Sequence, residues 1–447
     1  MDIQTFKTKL FEAAKNAGFS DFEIYYVSSK SFSVTVFQNN VREYKNSSPV
    51  GLSFRGTYDG KVGYVYTENI SEEVINFLIE NAKQNAIIKE EKNEFLFEGS
   101  KSYPKVPDKS QFLDKKTSKE KIDMAKEMEK IALEIDKRIV SVDASVIANG
   151  TGLILISNSY GLDVSFEYGD AVAYVITRAT DGTQTKIGYN LWSGADFSTF
   201  DAEKIAKKAV KITTDKLGAS SIKSGTYDIL IENKAAVQFL SAFVSNFYAE
   251  VVQKGFSLLK DKINKKIASS IITIKDNVMH PDSLTAVPFD SEGVATFDKI
   301  VIEKGILKTY LYDIKSAKKD NLKSTGNGFK SSFKSAVGID VNNFFIEPST
   351  KSIEEIKKDF SGILITSFAG MHSGVNSTSG DFSLQAGGFL IENGETIKPV
   401  EQIVSSGNFY DLLNNIEDIA NDLYFNPMGK SIGSPTLLVK SITISGE

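Results

Sequence analysis

The stretch FAGMHSGVNSTSGDFSLQAGGFLIENGE, Phe368–Glu395, passes from a glycine- and serine-rich loop into an alternating run. The glycines of the loop, Gly370 to Gly380, allow positive φ and close backbone approach. The run that follows, Phe382, Leu384 and Ala386, has strand periodicity and ends in Gly387-Gly388, too small to fill a core, so a second backbone is expected to lie across it. Asn393-Gly394 then predicts a tight hairpin turn. The stretch therefore reads as a functional loop placed against a sheet.

Working outward, ILITSF leads into the loop, a helix is expected from about Phe409 to Leu423, and TLLVKSITIS ends the chain as a strand. Upstream, VATFDKIVIEKGILKTYLYD predicts a long hairpin turning at Lys304-Gly305, preceded by a helix over Lys234–Glu250. The small residues of Gly218–Gly225 mark a boundary. Before it, Ile3, Phe6, Leu10, Phe11 and Ala14 form a helical stripe closed by Gly18. FEIYYVS, FSVTVFQ, VGLSFRGTY and VGYVYT read as four antiparallel strands, with a turn at Tyr58-Asp59-Gly60. Ser71 is the expected N-cap of a helix that buries Val74, Phe77, Leu78 and Ala82. Thr117 and Glu120 predict a capping box for a helix reaching Ile135. VSVDASVIA and GLILISNS are expected to turn at Asn149-Gly150, followed by LDVSFEYGDAVAYVIT, KIGYNLW and a helix from Asp201 to Leu217.

A chain of 447 residues exceeds one ordinary core. The expected fold is α+β: two domains with large antiparallel or mixed sheets, the C-terminal one barrel-like with packed helices. Residues 1–220 form the first domain, with a polar linker at about 90–116 inside it, and 221–447 form the second. No fixed-period repeat is visible.

Composition narrows the function. Net charge is −5, and arginine occurs only at Arg42, Arg55, Arg138 and Arg178, so nucleic-acid recognition is not expected. No run approaches the roughly 18 apolar residues of a membrane helix. The first residues, MDIQTFKTKLFEAAKNAGF, interleave charge with apolar residues at helical spacing and do not resemble a secretory signal. Cysteine is absent, which removes disulfides, thiolate ligands and a cysteine nucleophile; a cytoplasmic location is expected.

Few residues suggest chemistry. His280 precedes Pro281 and is biased toward an extended backbone. His372 sits in the glycine loop, where a base would need a nucleophile and an orienting group. Asp290, Ser291, Glu292 and Gly293 admit either an acid–base pair or a turn in which Asp290 bonds its own backbone, and the turn is favoured. Gly429-Lys430-Ser431 has Tyr424 where a phosphate-binding loop needs its first glycine. Gly326-Asn327-Gly328 lacks the third glycine of a dinucleotide fingerprint. No cofactor is expected.

Five segments, taken together, resemble the TldD/PmbA family: VPFDSEGVATFDKIVIEKGILKTYLYD, LKSTGNGF, GVNSTSGDFSLQAGGFLIENGE, the closing SIGSPTLLVKSITISG, and VGLSFRGTYDGKVGYVYTENIS near the start. In that family the TldD branch carries HExxxH on a helix, with a cysteine near the C-terminus. The corresponding helix here is KAAVQFLSAFVSNFYAE; Leu240–Asn246 offers neither imidazole nor glutamate, and Met428 stands roughly where the cysteine would be. The resemblance therefore points to the PmbA branch, also called TldE. It implies a metal-free subunit, without catalytic or metal-binding residues of its own, paired with a TldD-type zinc subunit, or forming a homodimer when alone. The pair would hold an extended peptide by strand addition. The candidates for peptide binding or subunit contact are Gly370, His372, Gly374, Ser377, Gly380, Asp381, Ser383, Gly387 and Gly388, while Asp290–Gly293 is a motif of unassigned role. The alternatives are an independent metal-free hydrolase using residues 290–292 and 372–381, or a regulatory protein of the DNA gyrase modulator type.

Overall fold

The computed structural model describes residues 1–89, 96–110 and 115–447, so part of the expected polar linker lies outside the described residues. The first part of the chain runs α1 (Ile3–Asn16), β1 (Asp21–Phe37), β2 (Asn40–Ser47), β3 (Val50–Tyr58), β4 (Lys61–Thr67), α2 (Val74–Ile88), α3 (Ser118–Ile135), β5 (Ile139–Asn158), β6 (Asp163–Thr180), β7 (Thr185–Gly194) and α4 (Ala202–Thr214). Its strands form one antiparallel sheet in the order β4-β3-β1-β5-β6-β7, with β2 beside the second half of β1. Even-numbered side chains of β1, Ile24, Tyr26, Phe32, Val34 and Val36, pack under the helices. Odd-numbered Tyr25 and Val27 face the other way, toward Phe289 and Phe333. The first half of β1 is thus buried on both faces, which is why FEIYYV does not alternate.

Several local signals act as expected. Asp59 and Gly60 take positive φ, as do Lys304-Gly305 and Asn393-Gly394, matching the mirror-image turns that suit a twisted hairpin. Thr117 and Glu120 close a reciprocal capping box.

Others are overridden. FEIYYVS and FSVTVFQ are one 17-residue strand, and the exposed β2, which has no alternation, is the fourth strand. Asn149-Gly150 makes no turn: β5 runs unbroken for 20 residues, because Asn149 and Gly150 pair with Phe32 and Ser31 on one side and with Ala171 and Asp170 on the other. Two continuous ladders outweigh one local turn preference. Phe77 is exposed, since the buried face of α2 is Ile75, Leu78, Ile79, Ala82 and Ala86, and Ser71 contributes its carbonyl rather than its hydroxyl to the helix start.

The second part runs β8 (Gly225–Ile231), α5 (Asn233–Phe243), α6 (Ala249–Gln253), β9 (Ile274–Asn277), β10 (Lys299–Glu303), β11 (Ile306–Leu307), α7 (Ile314–Lys319), β12 (Gly328–Phe329), β13 (Gly338–Ile339) and β14 (Asn343–Ile346). It continues through α8 (Ile353–Lys357), β15 (Gly362–Ala369), α9 (Met371–Gly374), β16 (Asp381–Glu392), β17 (Glu395–Asn408), α10 (Phe409–Asn414), β18 (Ile416–Ile419), β19 (Tyr424–Phe425), β20 (Ile432–Ser434) and β21 (Leu437–Ser445). Strands β17-β16-β15-β8-β21 close into a five-stranded barrel through pairing of β17 with β21. A second sheet, β11-β10-β9-β14-β20-β19, lies across α5, which contacts both sheets. The fold is α+β with a barrel in the C-terminal part. The helix expected over Lys234–Glu250 is interrupted: after α5 the chain tightens into a 3₁₀ turn at Val244–Phe247, and Tyr248 is extended. The helix expected from Phe409 stops at Asn414, and Ile416–Ile419 pairs with β21 instead. The return arm of the 299–307 hairpin is only two residues long.

One buried carboxylate ties helix to sheet. Glu129 of α3, 3% exposed, accepts 2.7 Å hydrogen bonds from the amides of Gln38 and Asn39, the positive-φ residues of the β1–β2 turn. Hydrogen bonds to a charged group contribute roughly 1.5–3 kcal/mol each, so Glu129→Gln should lower unfolding stability by about 1–3 kcal/mol. Denaturant unfolding measures the loss, and faster hydrogen exchange at Gln38 and Asn39 localises it; unchanged values for both would contradict the assignment.

Candidate functional site

Strands β15, β16 and β17 meet where both ladders slip. Thr366 is an extra residue on β15, between the pairs Ile365–Gly388 and Ser367–Gly387. On β17, Glu401 and Gln402 together oppose Gly387, and Gln402 has φ of 56°. Bulges of this kind bend a strand and free its backbone from the ladder. The freed Glu401 amide donates to Ser220 O at 3.2 Å, across to the segment that follows α4. At Gly388 the expected close approach is present: a Cβ there would lie 1.8 Å from Leu364 O.

A cavity of about 370 Å³ opens at this slip, between β7 and the end of α4 on one side and the barrel strands on the other. Thr366, Ser367, Ala386, Gly387 and Gly388 lie on the barrel side, and Ile187, Phe389, Pro399 and Val400 supply apolar wall. Three charges line it. Lys186 pairs with Glu401, while Lys216 donates to Ile187 O at 3.1 Å. Burial holds the Lys216 ammonium below the ordinary lysine range, opposed by the charges of Glu232 and Glu401. Of the candidates named from the sequence, Gly387 and Gly388 lie in the lining; Lys186, Lys216 and Glu401, which also line it, were not among them. Lys216 carried only the signature of a cation near a helix C-terminus.

The loop residues lie beside this cavity and not in its lining, although Ala369 and Gln385, which do line it, adjoin them. Gly370, at φ 82°, starts the short turn α9, and Gly374 fits closely, since a Cβ would come 2.2 Å from Ser383 O. Gly380 N–H donates to Asn376 O at 2.9 Å and Gly380 O accepts from Phe409 N–H at 2.7 Å. Asp381 accepts from Ser379 Oγ and Asn408 Nδ2, which hold its carboxyl below the usual range. Ser377 is half-buried, and Ser383 and His372 are exposed. Among the described residues, His372 has no hydrogen bond to a serine or a carboxylate, so the arrangement a hydrolase would need is not assembled. His280 is packed between Phe345 and Phe425, with Nδ1 accepting from Asp282 N–H at 3.2 Å.

Asp290–Gly293 is elsewhere, at the contact between the first sheet and the second part of the chain. Asp290 accepts from the amides of Glu292, Val294 and Gly328 at 2.9–3.0 Å, the turn geometry. Ser291 Oγ accepts from Lys330 N–H, and Gly293 O accepts from Tyr103 of the 96–110 segment at 2.9 Å. Glu292 accepts from Ile314 N–H at 2.8 Å. Burial pushes both carboxyls up, Asp290 to about 7. Three amide donors favour charge on Asp290, whereas Glu292 has one donor and the Asp290 charge against it, so Glu292 is the carboxyl of the two that keeps its proton to higher pH.

This placement has a consequence for stability. Above the ordinary Glu value of 4.5 the unfolded chain loses a proton that folded Glu292 keeps, so stability falls as pH rises toward the raised folded value. Denaturant midpoints should decline as pH rises above the ordinary Glu value, and Glu292→Gln should flatten that decline and be at least as stable at the upper end. Parallel curves for the two proteins would place the proton elsewhere.

Comparison with known proteins gives three successive matches: PmbA/TldA metallopeptidase domain 1 at residues 22–86, the central domain at 113–217 and the C-terminal domain at 224–446. The Metalloprotease PmbA homolog of Buchnera aphidicola subsp. Acyrthosiphon pisum is 30% identical over 71% of this chain and 69% of its own. Metalloprotease PmbA of Escherichia coli O157:H7 is 29% identical over 73% and 70%. A solved structure from Thermotoga maritima, described as a modulator of a DNA gyrase, is similar with a TM-score of 0.91 at 32% identity, over 99% of this chain and 100% of that one. TldE from Thermococcus kodakarensis shares the fold, with a TM-score of 0.91 at 24% identity and the same coverage. The chain belongs to the PmbA/TldD metallopeptidase family.

Proposed function

We propose that this chain is the non-catalytic, PmbA/TldE-like subunit of a two-subunit TldD/TldE-type metallopeptidase, located in the cytoplasm. It completes a chamber that holds unfolded or modified peptides while a zinc-bearing partner cleaves them. In this reading the chain divides near Gly218–Gly225 into an N-terminal and a C-terminal domain, and Gly370, His372, Gly374, Ser377, Gly380, Asp381, Ser383, Gly387 and Gly388 are the candidates for contact with peptide or partner. The observation that carries it is the content of the helix over which the family's zinc motif would run. Leu240, Phe243 and Val244 are buried in the apolar core, and Ser241 Oγ donates to Val237 O at 2.6 Å. Asn246 is fully buried with neither amide atom partnered, but a carboxamide beside a serine is not a zinc donor set. Met428, near the place of the family cysteine, is 47% exposed. Among the described residues, no group of three His, Asp or Glu side chains is arranged to hold a metal ion. These residues do not fit zinc.

The gyrase-modulator description of the Thermotoga maritima relative is a weaker guide to nucleic-acid contact, because the net charge is −5 and only four arginines are present to read base edges.

Co-expression tests the subunit role. Purified alone, the protein should carry no stoichiometric zinc and should leave an unfolded fluorogenic peptide intact; addition of a TldD-type subunit with HExxxH should produce cleavage. Zinc-independent cleavage by the lone chain, or no effect of the added chain on a TldD-type subunit, would overturn it.

A further inference from the structure

The cavity beside Gly387 holds more positive than negative charge. Lys186 and Lys216 line it with a single acid, Glu401, and that acid is engaged by Lys186. Lys216 donates one hydrogen bond, to Ile187 O, and an ammonium has three donors. Among the described residues, no carboxylate lies within ion-pair distance of it. Ser367 Oγ, also in the lining, makes no hydrogen bond within the described chain and lies 3.3 Å from where a Gly387 Cβ would be. We propose that this cavity binds the C-terminal carboxylate of a short extended peptide, with the Lys216 ammonium as its counter-ion and the Ser367 hydroxyl as a second donor.

The inference rests on the peptide-holding role above and adds which part of the peptide is recognised. A partly desolvated ammonium gains most from an anion that enters with it into a low-dielectric site. The cavity volume falls within the roughly 300–1,000 Å³ of small-ligand sites. Its apolar wall of Ile187, Phe389, Pro399 and Val400 suits the carbon atoms of a chain end better than a bare inorganic anion, which needs donors on every side. Gly387 leaves room on the strand for a second backbone.

The test uses the lone full-length chain and needs no partner. Isothermal titration calorimetry compares N-acetyl-tetra-alanine as the free acid with its C-terminal amide. One charge-assisted hydrogen bond corresponds to about a tenfold or larger preference for the acid. Lys216→Gln should abolish that preference, Lys216→Arg should retain it, and Gly387→Val should weaken both ligands; thermal melts establish that each variant is folded. Equal binding of acid and amide, no binding of either, an undiminished preference in folded Lys216→Gln, or displacement by inorganic phosphate at concentrations matching the acid would each overturn the proposal. Such a failure leaves partner-dependent proteolysis untouched, and loss of that proteolysis leaves the calorimetric preference untouched, so the two readings fail separately.

Discussion

Closure of the C-terminal barrel depends on places where the ladder is broken on purpose. Five strands cannot curl into a cylinder while keeping a flat register, so the chain adds Thr366 to β15, sets Glu401 and Gln402 against Gly387, and omits a side chain at Gly388, where Leu364 O leaves no space for one. These irregularities do more than bend the sheet. They release the Glu401 amide to bond Ser220, and the gap they leave between the barrel and β7 is the charged cavity. Barrel closure and the candidate site are thus one structural event.

The helix inside this architecture is used for packing. Phe239 and Phe243 of α5 meet Phe382 and Phe409, with the rings of Phe243 and Phe409 stacked at 4.4 Å. A donor set for a metal at these positions would place ionisable groups in the core, at a cost that only a bound ion or fixed partners can offset. Apolar residues at Leu240, Phe243 and Val244 avoid that cost and join barrel to second sheet. The motif Asp290–Gly293 is likewise architectural: its carboxylates gather amides from three segments, and its last glycine receives Tyr103 and packs against Leu162. It joins the two parts of the chain.

Much of the fold was legible because its signals are local. Capping at Thr117 needs only Glu120, and a mirror-image turn at Asn393-Gly394 needs only two residues able to take positive φ. The same kind of signal failed at Asn149-Gly150, where strands on both sides impose extension, and at Phe409–Leu423, where β21 offers an edge that Ile416–Ile419 takes in preference to helix. Phe77 is exposed against expectation because hydrophobicity alone does not fix which way the helix faces the core. The exposed strand β2 has no periodicity to read at all: its neighbours supply its conformation.

Sequence alone therefore determined what depends on adjacent residues: the turns, the caps, the close approach implied by Gly387-Gly388, and the lack of metal donors over Leu240–Asn246. Tertiary structure decided what those features are for. Lys186 and Glu401 are 215 positions apart and meet only when the barrel closes against the first sheet. Lys216 becomes a candidate counter-ion only once the fold half-buries it beside the barrel strands. Such groupings arise from long-range packing, and no spacing along the chain encodes them.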